Sequence, residues 1–283
     1  MRHRRCGLVV ARLLGAFLSV TAVVGCRSAV SAAPAGLETL DGLIWIQRAE
    51  EARQLQRSVF LAAGRALEAA LADPSWRALD QPPEALDLPP AVIVDIDETM
   101  LDNSAFQVEQ LRLRLAYDEG RWREWVLREE ARAVPGALEF ARLAETLGVT
   151  VFYVSNRDAE YEAATRSNLE ALSFPLPTEP DVVLLRGERP EWTSDKQSRR
   201  ELVASSHRVL LMLGDDLNDF VTVRGSALEE RDALAAARAE RFGNQWFVLP
   251  NPVYGSWLRS FLREAGGTPA SLDQQLELLY GYE

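Results

Sequence analysis

Lysine is almost absent from this chain. Of its 31 basic residues only Lys196 is a lysine; the other thirty are arginines. Cysteine is as scarce. The two present, Cys6 and Cys26, fall in the first 26 residues, so the remainder has no disulfide framework, no zinc–cysteine cluster and no cysteine nucleophile. Histidine occurs twice, at His3 and His207. That is too few for a multi-histidine metal site once the leader is removed. A basic excess is missing too: 42 acids outweigh the bases and the net charge is −11. This argues against binding of a nucleic-acid polymer, which needs a basic footprint. No apolar run reaches the ~20 residues of a membrane span, because Arg12 interrupts the stretch that continues from Leu13 to Val24.

What is present begins with a leader. Met1–Arg5 is basic, Leu13–Val24 is apolar, and small residues precede Cys26. The pattern is that of a secretory signal over residues 1–25, and its end resembles a bacterial lipobox with Cys26 as the lipidated residue. Val30-Ser31-Ala32 is an alternative cleavage site. Loss of residues 1–25 removes four arginines and no acid, taking the charge from −11 to −15. A Pro/Ala-rich tether over 26–37 precedes a domain at 38–283. The expected location is the bacterial cell envelope, lipid-anchored at the outer membrane and facing the periplasm.

Within the domain, Leu40–Leu71 has helical spacing and residues 73–90 hold five prolines. Short apolar runs follow at Ala91–Val94, Val149–Val154, Val182–Leu185, Val209–Leu213 and Trp246–Leu249. Helical patterns at Gly136–Leu147, Tyr161–Leu172, Ser194–Ser205 and Leu228–Phe242 alternate with them. Alternation of this kind predicts an α/β fold, a three-layer Rossmann-like parallel sheet. Ligands bind such sheets at the carboxyl ends of the strands, which makes the residues there the candidates.

The first run ends in Asp95-Ile-Asp97-Glu98-Thr99. Period-2 alternation puts Asp95 and Asp97 on one side of an extended chain. Two carboxylates so close call for a cation or a proton, which suits Mg²⁺ and its oxygen ligands, although a solvated acidic turn fits the pair equally. The second run ends in Ser155-Asn156-Arg157, able to donate to a phosphate oxygen or to cap a helix. The fourth ends in Gly214-Asp215-Asp216-Leu217-Asn218-Asp219, acids after a glycine that permits close backbone approach. Lys196 opens a predicted helix between them. A phosphate dianion with Asp95 and Asp215 is near charge balance once Mg²⁺ and Lys196 are counted and Asp97 is protonated. His207 reads as a surface or internally satisfied residue.

These motifs, in this order, resemble the haloacid dehalogenase superfamily of phosphohydrolases. Asp95-Ile-Asp-Glu-Thr-Met-Leu-Asp-Asn-Ser104, with Gly214–Phe220 and Pro250–Trp257, is similar to class C acid phosphatases, the bacterial lipoprotein e family of 5′-nucleotidases. The resemblance implies a small helical subdomain beside the sheet, built from the N-terminal helix, segments near 104–130 and the C-terminus. It implies Asp95 as nucleophile and Asp97 as general acid and base. It implies Mg²⁺ held by Asp95, the Asp97 backbone carbonyl and Asp215, with Asp216 and Asp219 orienting metal-bound water. Ser155, the Asn156 backbone and Lys196 would hold phosphoryl oxygens, and Thr99 would fix the loop by hydrogen bonding. Trp122 and Tyr254 would stack a nucleobase between them, with Trp125 and Phe106 weaker candidates. Alanine after Ser104 and an Arg-rich segment near Trp122 depart from the family pattern and bear on substrate preference. The implied partners are a small-molecule phosphomonoester and a membrane through the lipid anchor; a homodimer stays open. Phosphotransfer to an alcohol, or a non-catalytic binding role, are the alternatives.

Overall fold

The computed structural model describes residues 39–223, 225–267 and 271–279. The signal segment, the tether and Cys26 lie outside them. The first predicted helix is two: α1 (Leu40–Arg48) and α2 (Glu50–Ala72), separated at Ala49, whose ψ of 131° is extended. A buried stripe on α2, including Ala52, Phe60, Ala63, Leu67 and Ala70, follows the three-to-four-residue spacing of an amphipathic helix. No helix among the described residues is long and apolar enough to cross a membrane.

The central sheet starts with β1 (Pro90–Val94), where a proline at the first position removes no ladder bond from the strand interior. A small antiparallel pair, β2 (Leu101–Asp102) and β3 (Arg132–Ala133), brackets α3 (Ser104–Leu113) and α4 (Glu119–Arg128). Then come α5 (Ala137–Thr146), β4 (Thr150–Asp158), α6 (Glu162–Ala171), β5 (Val183–Arg186), α7 (Gln197–Ser206) and β6 (Arg208–Gly214). The chain closes with α8 (Leu228–Ala236), β7 (Trp246–Val248), α9 (Ser256–Glu264) and α10 (Leu272–Leu276). The helix expected over Leu228–Phe242 therefore stops at Ala236, with a separate 3₁₀ turn at Ala239–Arg241.

The five main strands are all parallel and run across the sheet as β5-β4-β1-β6-β7. From β1 the chain moves outward through β4 to β5, then returns past β1 to β6 and β7. Right-handed crossovers put α5, on the outward path, and α7, on the return, on opposite faces. The helix pair α2 and α5 packs over β6, β7 and β4, while α7 packs against β4 and β6. Covered on both sides, β6 is buried at all seven positions; its apolar residues follow one another instead of alternating. The reversal of direction at β1 opens a crevice at the strand ends.

Candidate active site

Asp95, one residue beyond β1, is held by its amide to Leu213 O of β6 at 2.9 Å. Its carboxylate pairs with the Lys196 ammonium. Lys196, only 3 % exposed, reaches a second carboxylate, Asp219, at 2.7 Å. Asp215 lies beside them and accepts from Asn251 Nδ2 at 2.8 Å. One oxygen from each of Asp95, Asp215 and Asp219 falls within 4.8 Å of the others. Burial raises the Asp95 carboxyl to about 7 against the pull of Lys196. Burial first, then Asp219 and Asp95, raises Asp215 well above the carboxylate range. Asp219 is raised by burial as well, and Lys196 upward because two acids flank it. Three carboxylate donors around one ammonium fit a hard divalent cation, which takes oxygen ligands and would relieve the same crowding.

Gly214 makes that geometry accessible. A Cβ there would stand 2.5 Å from Asp219 Cβ, so any side chain would push the carboxylate away from Lys196. Asp219 also accepts the Asp216 amide at 3.0 Å, while Asp216 accepts from the Asn218 amide at 2.9 Å and from the Ser256 amide and hydroxyl. Asp216 thus spends its oxygens on tethering the start of α9 and the loop carrying Tyr254.

Asp97 has a different environment. The chain bends after β1, so extended alternation does not carry through, and Asp97 turns to Arg157. That guanidinium donates from Nη2 at 2.9 Å and from Nε at 3.0 Å. Asn103 Nδ2 donates at 2.8 Å and the Ser155 hydroxyl at 3.2 Å. Asn103 is oriented by the Trp125 indole N–H, 2.8 Å from its Oδ1. The sequence reading balanced the charge without any cation beside Asp97, whose hydrogen-bond partners here are all donors. Arg157, buried at 2 % exposure, is a cation that reading left out.

The Ser155-Asn156-Arg157 segment was expected to lie just past the end of its strand. Instead β4 continues to Asp158, where Arg186 of β5 binds Asp158 bidentately at 2.7 and 2.8 Å. Ser155 is fully buried, and its hydroxyl also accepts the Arg157 amide at 3.0 Å. The Asn156 side chain is committed to structure: Nδ2 donates to Ser194 O at 2.9 Å and Oδ1 accepts from Arg199 at 2.8 Å. Arg199, fully buried, also grips the Ser155 carbonyl and Thr193 O, and burial brings it down to about 10. It fastens the start of α7, and hence Lys196, to the end of β4. Thr99 does not fix the loop as expected: its hydroxyl is buried without a hydrogen-bond partner. His207 is buried, bonded to Ser206 Oγ at 2.9 Å and edge-on to Phe152, an internally satisfied side chain.

These residues line a cavity of about 410 Å³ that includes Asp95, Asp97, Lys196, Asp215 and Asp219. Trp122 and Tyr254 line it too, as does Tyr117, an aromatic the sequence reading overlooked. Trp122 packs edge-on to Phe106, with ring centroids 5.2 Å apart, and under the Arg157 guanidinium at 5.6 Å. Phe106 and Trp125 are core residues. Tyr254 donates to Glu98, a buried residue at φ 60° raised well above its usual value by burial and then by Asp97. Glu98 was read only as part of the first motif, and no spacing rule ties it to a tyrosine 156 positions away.

Acidic side chains at the carboxyl ends of β1 and β6, bridged by a buried lysine at the start of the helix between β5 and β6, place the protein among α/β proteins whose site lies at the strand ends. The profile of the haloacid dehalogenase superfamily, subfamily IIIB (acid phosphatase), matches residues 30–257, and the chain belongs to that family. Its structure is similar to that of the class C acid phosphatase from Bacillus anthracis, at 29% identity and a TM-score of 0.75, covering 88% of this chain and 99% of that one. A tungstate-bound structure of the same enzyme matches equally well. Among curated relatives, acid phosphatase 1 of Solanum lycopersicum is 25% identical over 166 residues, 57% of each chain. The stem 31 kDa glycoprotein of Glycine max is 26% identical over 168 residues, 57% of this chain and 58% of that one. The chain thus spans under two thirds of the length of the curated relatives it matches.

Proposed function

We propose that this protein is a Mg²⁺-dependent acid phosphatase that hydrolyses phosphomonoesters, nucleoside 5′-monophosphates foremost, through an aspartyl-phosphate. The observation that carries this reading is the Asp95 carboxylate set between Lys196 and the Asp215–Asp219 pair at the base of the cavity. Asp95, Asp215 and Asp219 are the side chains that would hold Mg²⁺, which supplies charge neutralisation and orientation of the phosphoryl group when bound. Including Asp219 departs from the ligand set expected from the resemblance, which counted it among the groups orienting water.

In the first half-reaction an Asp95 oxygen attacks phosphorus and the ester P–O bond breaks. The departing alkoxide takes a proton from Asp97, whose orientation Arg157 and Asn103 set. In the second, water attacks phosphorus, Asp97 recovers a proton from it, and the Asp95–phosphorus bond breaks to release inorganic phosphate. Lys196 stays charged throughout and attracts the phosphoryl oxygens as a point charge. Trp122 and Tyr254 supply the faces for a nucleobase; a stacked base contributes about 1–3 kcal/mol. The bound tungstate in the Bacillus anthracis enzyme, an oxyanion comparable to phosphate, supports this assignment of ligand chemistry. We place the enzyme in the bacterial envelope, anchored through Cys26, where it would turn charged nucleotides into neutral nucleosides. Turnover of 5′-nucleotides and aryl phosphates, with EDTA and with Asp95→Asn, tests the reading: full activity in that variant would overturn it.

A further inference from the structure

A second cavity, of about 540 Å³, abuts the first and shares Asn156, Asn218 and Arg259 with it. Its lining reverses the sign of the molecule. Arg186, Arg259 and Arg263 contribute, together with Ser194 and Ser260, and among the described residues no aspartate or glutamate does. The protein as a whole has a net charge of −11, so an acid-free arginine cluster beside an acid-rich site is unexpected.

The three arginines are not equivalent. Arg186 is matched by Asp158, with Glu119 at 3.8 Å. Arg263 donates to the carbonyls of Gly225 and Ser226 at 2.9 and 3.1 Å and to Ser260 Oγ at 3.2 Å, which hold it in place while leaving its charge uncompensated. The Arg259 guanidinium makes no hydrogen bond or ion pair with any described residue, and the like charge of Arg231 acts nearby. The Ser194 hydroxyl, also in the lining, is buried without a partner among the described residues. An unpaired guanidinium, a second cation held by neutral acceptors and a hydroxyl without a partner leave donors in this cavity with no anion to receive them. Arginine favours compact oxyanions, whose oxygens its planar fork can meet two at a time.

We infer that this cavity is a second oxyanion subsite, with Arg259 at its mouth, for substrates bearing a further phosphate away from the reacting one, such as nucleoside 3′,5′-bisphosphates. The inference rests on the phosphatase reading for the identity of the first site. A phosphate reacting at Asp95 would leave the other end of such a molecule in the adjoining cavity, where Arg259 and Arg263 stand ready and Asp158 and Glu119 are taken up by Arg186.

Equilibrium binding tests this without turnover. Adenosine 3′,5′-bisphosphate and adenosine 5′-monophosphate are titrated by calorimetry into the full chain carrying Asp95→Asn, and into the same protein with Arg259→Ala or Arg259→Lys added. One gained charge-assisted contact predicts about tenfold tighter binding of the bisphosphate. Arg259→Ala should bring that ratio close to one, Arg259→Lys should keep part of it, and added salt should shrink it. A misfolded variant would weaken both ligands together and leave the ratio intact. An equal affinity of the parent for both ligands, or a ratio unchanged by an Arg259→Ala protein that keeps its monophosphate affinity, overturns the subsite. Inorganic phosphate titrated onto the monophosphate-saturated protein identifies the source of the anion. An Arg259-dependent second event supports the subsite with free phosphate as its occupant; its absence beside a bisphosphate preference supports the substrate's own phosphate. Hydrolysis of p-nitrophenyl phosphate by the unmodified chain separately tests the phosphatase reading.

Discussion

Asp95 and Asp97 stand two residues apart, line one cavity and belong to opposite electrostatic worlds. Around Asp95 gather two further carboxylates and one lysine, with Asp215 alone partly open to solvent, and its carboxyl rises to about 7. Asp97 also bears on Asp95 and on Glu98, but its own hydrogen-bond partners are all donors: Arg157, Asn103 and Ser155. The first environment asks for an added cation; the second is complete within the chain. Separate environments are how one fold assigns two carboxylates two roles. The bend after β1 creates the separation, because it sends Asp95 toward β6 and α7 and Asp97 toward β4.

The comparison breaks most readily at Asp95. Asp95→Asn should lower kcat by at least about 10³-fold, the scale of losing a nucleophile and its charge together, with no phosphoenzyme trapped by acid quench. Lys196→Arg should follow at about 10²-fold in kcat. A bulkier fork cannot enter a space already closed by Asp95 and Asp219, and a variant retaining nearly full activity would refute the need for a compact charge. On the other side, Arg157→Ala should cost about tenfold in kcat, since it leaves Asp97 without the guanidinium that orients it; an unchanged kcat would count against the division. Trp125→Phe removes the indole N–H that orients Asn103, and should destabilise by about 1 kcal/mol with a few-fold change in kcat.

A gentler probe is pH without metal. The raised carboxyls of Asp95, Asp215 and Asp219 hold protons in the folded state that the unfolded chain releases near pH 4. Stability from this cluster is therefore present at low pH and is lost as pH climbs from about 4 through about 7. A divalent ion can take the place of those protons. Thermal melts should show a larger gain in Tm on adding Mg²⁺ at pH 7.5 than at pH 5. Equal gains would place the ion away from this cluster.

Much of this was legible in the sequence. The five apolar runs mark the five strands because a sheet covered on both faces has no polar alternation to obscure them. Asp95, Asp215 and Lys196 are exposed to inspection by their places at strand ends and at a helix start. What escaped depends on contacts across long sequence distances. Arg157 looks like a turn residue until β4 is seen to continue, its end fixed by an ion pair with Arg186. Arg199 reads as one of many helical arginines, yet it clamps the Lys196 segment onto β4. Glu98 and Tyr254 are joined only once the chain has folded. Ala49, where the first helix divides, carries no proline or glycine to announce the break.

The solitary lysine has an analytical consequence. An amine-directed reagent finds a single ε-amino group on the chain, and it lies 3 % exposed between two carboxylates. A lysine-specific endoprotease has one bond to cut, Lys196–Gln197, where the cap of α7 keeps it out of reach while the domain is folded. Cleavage then reports opening of the catalytic domain from a single event, and substrates or metal ions that hold the site closed would register as slower scission.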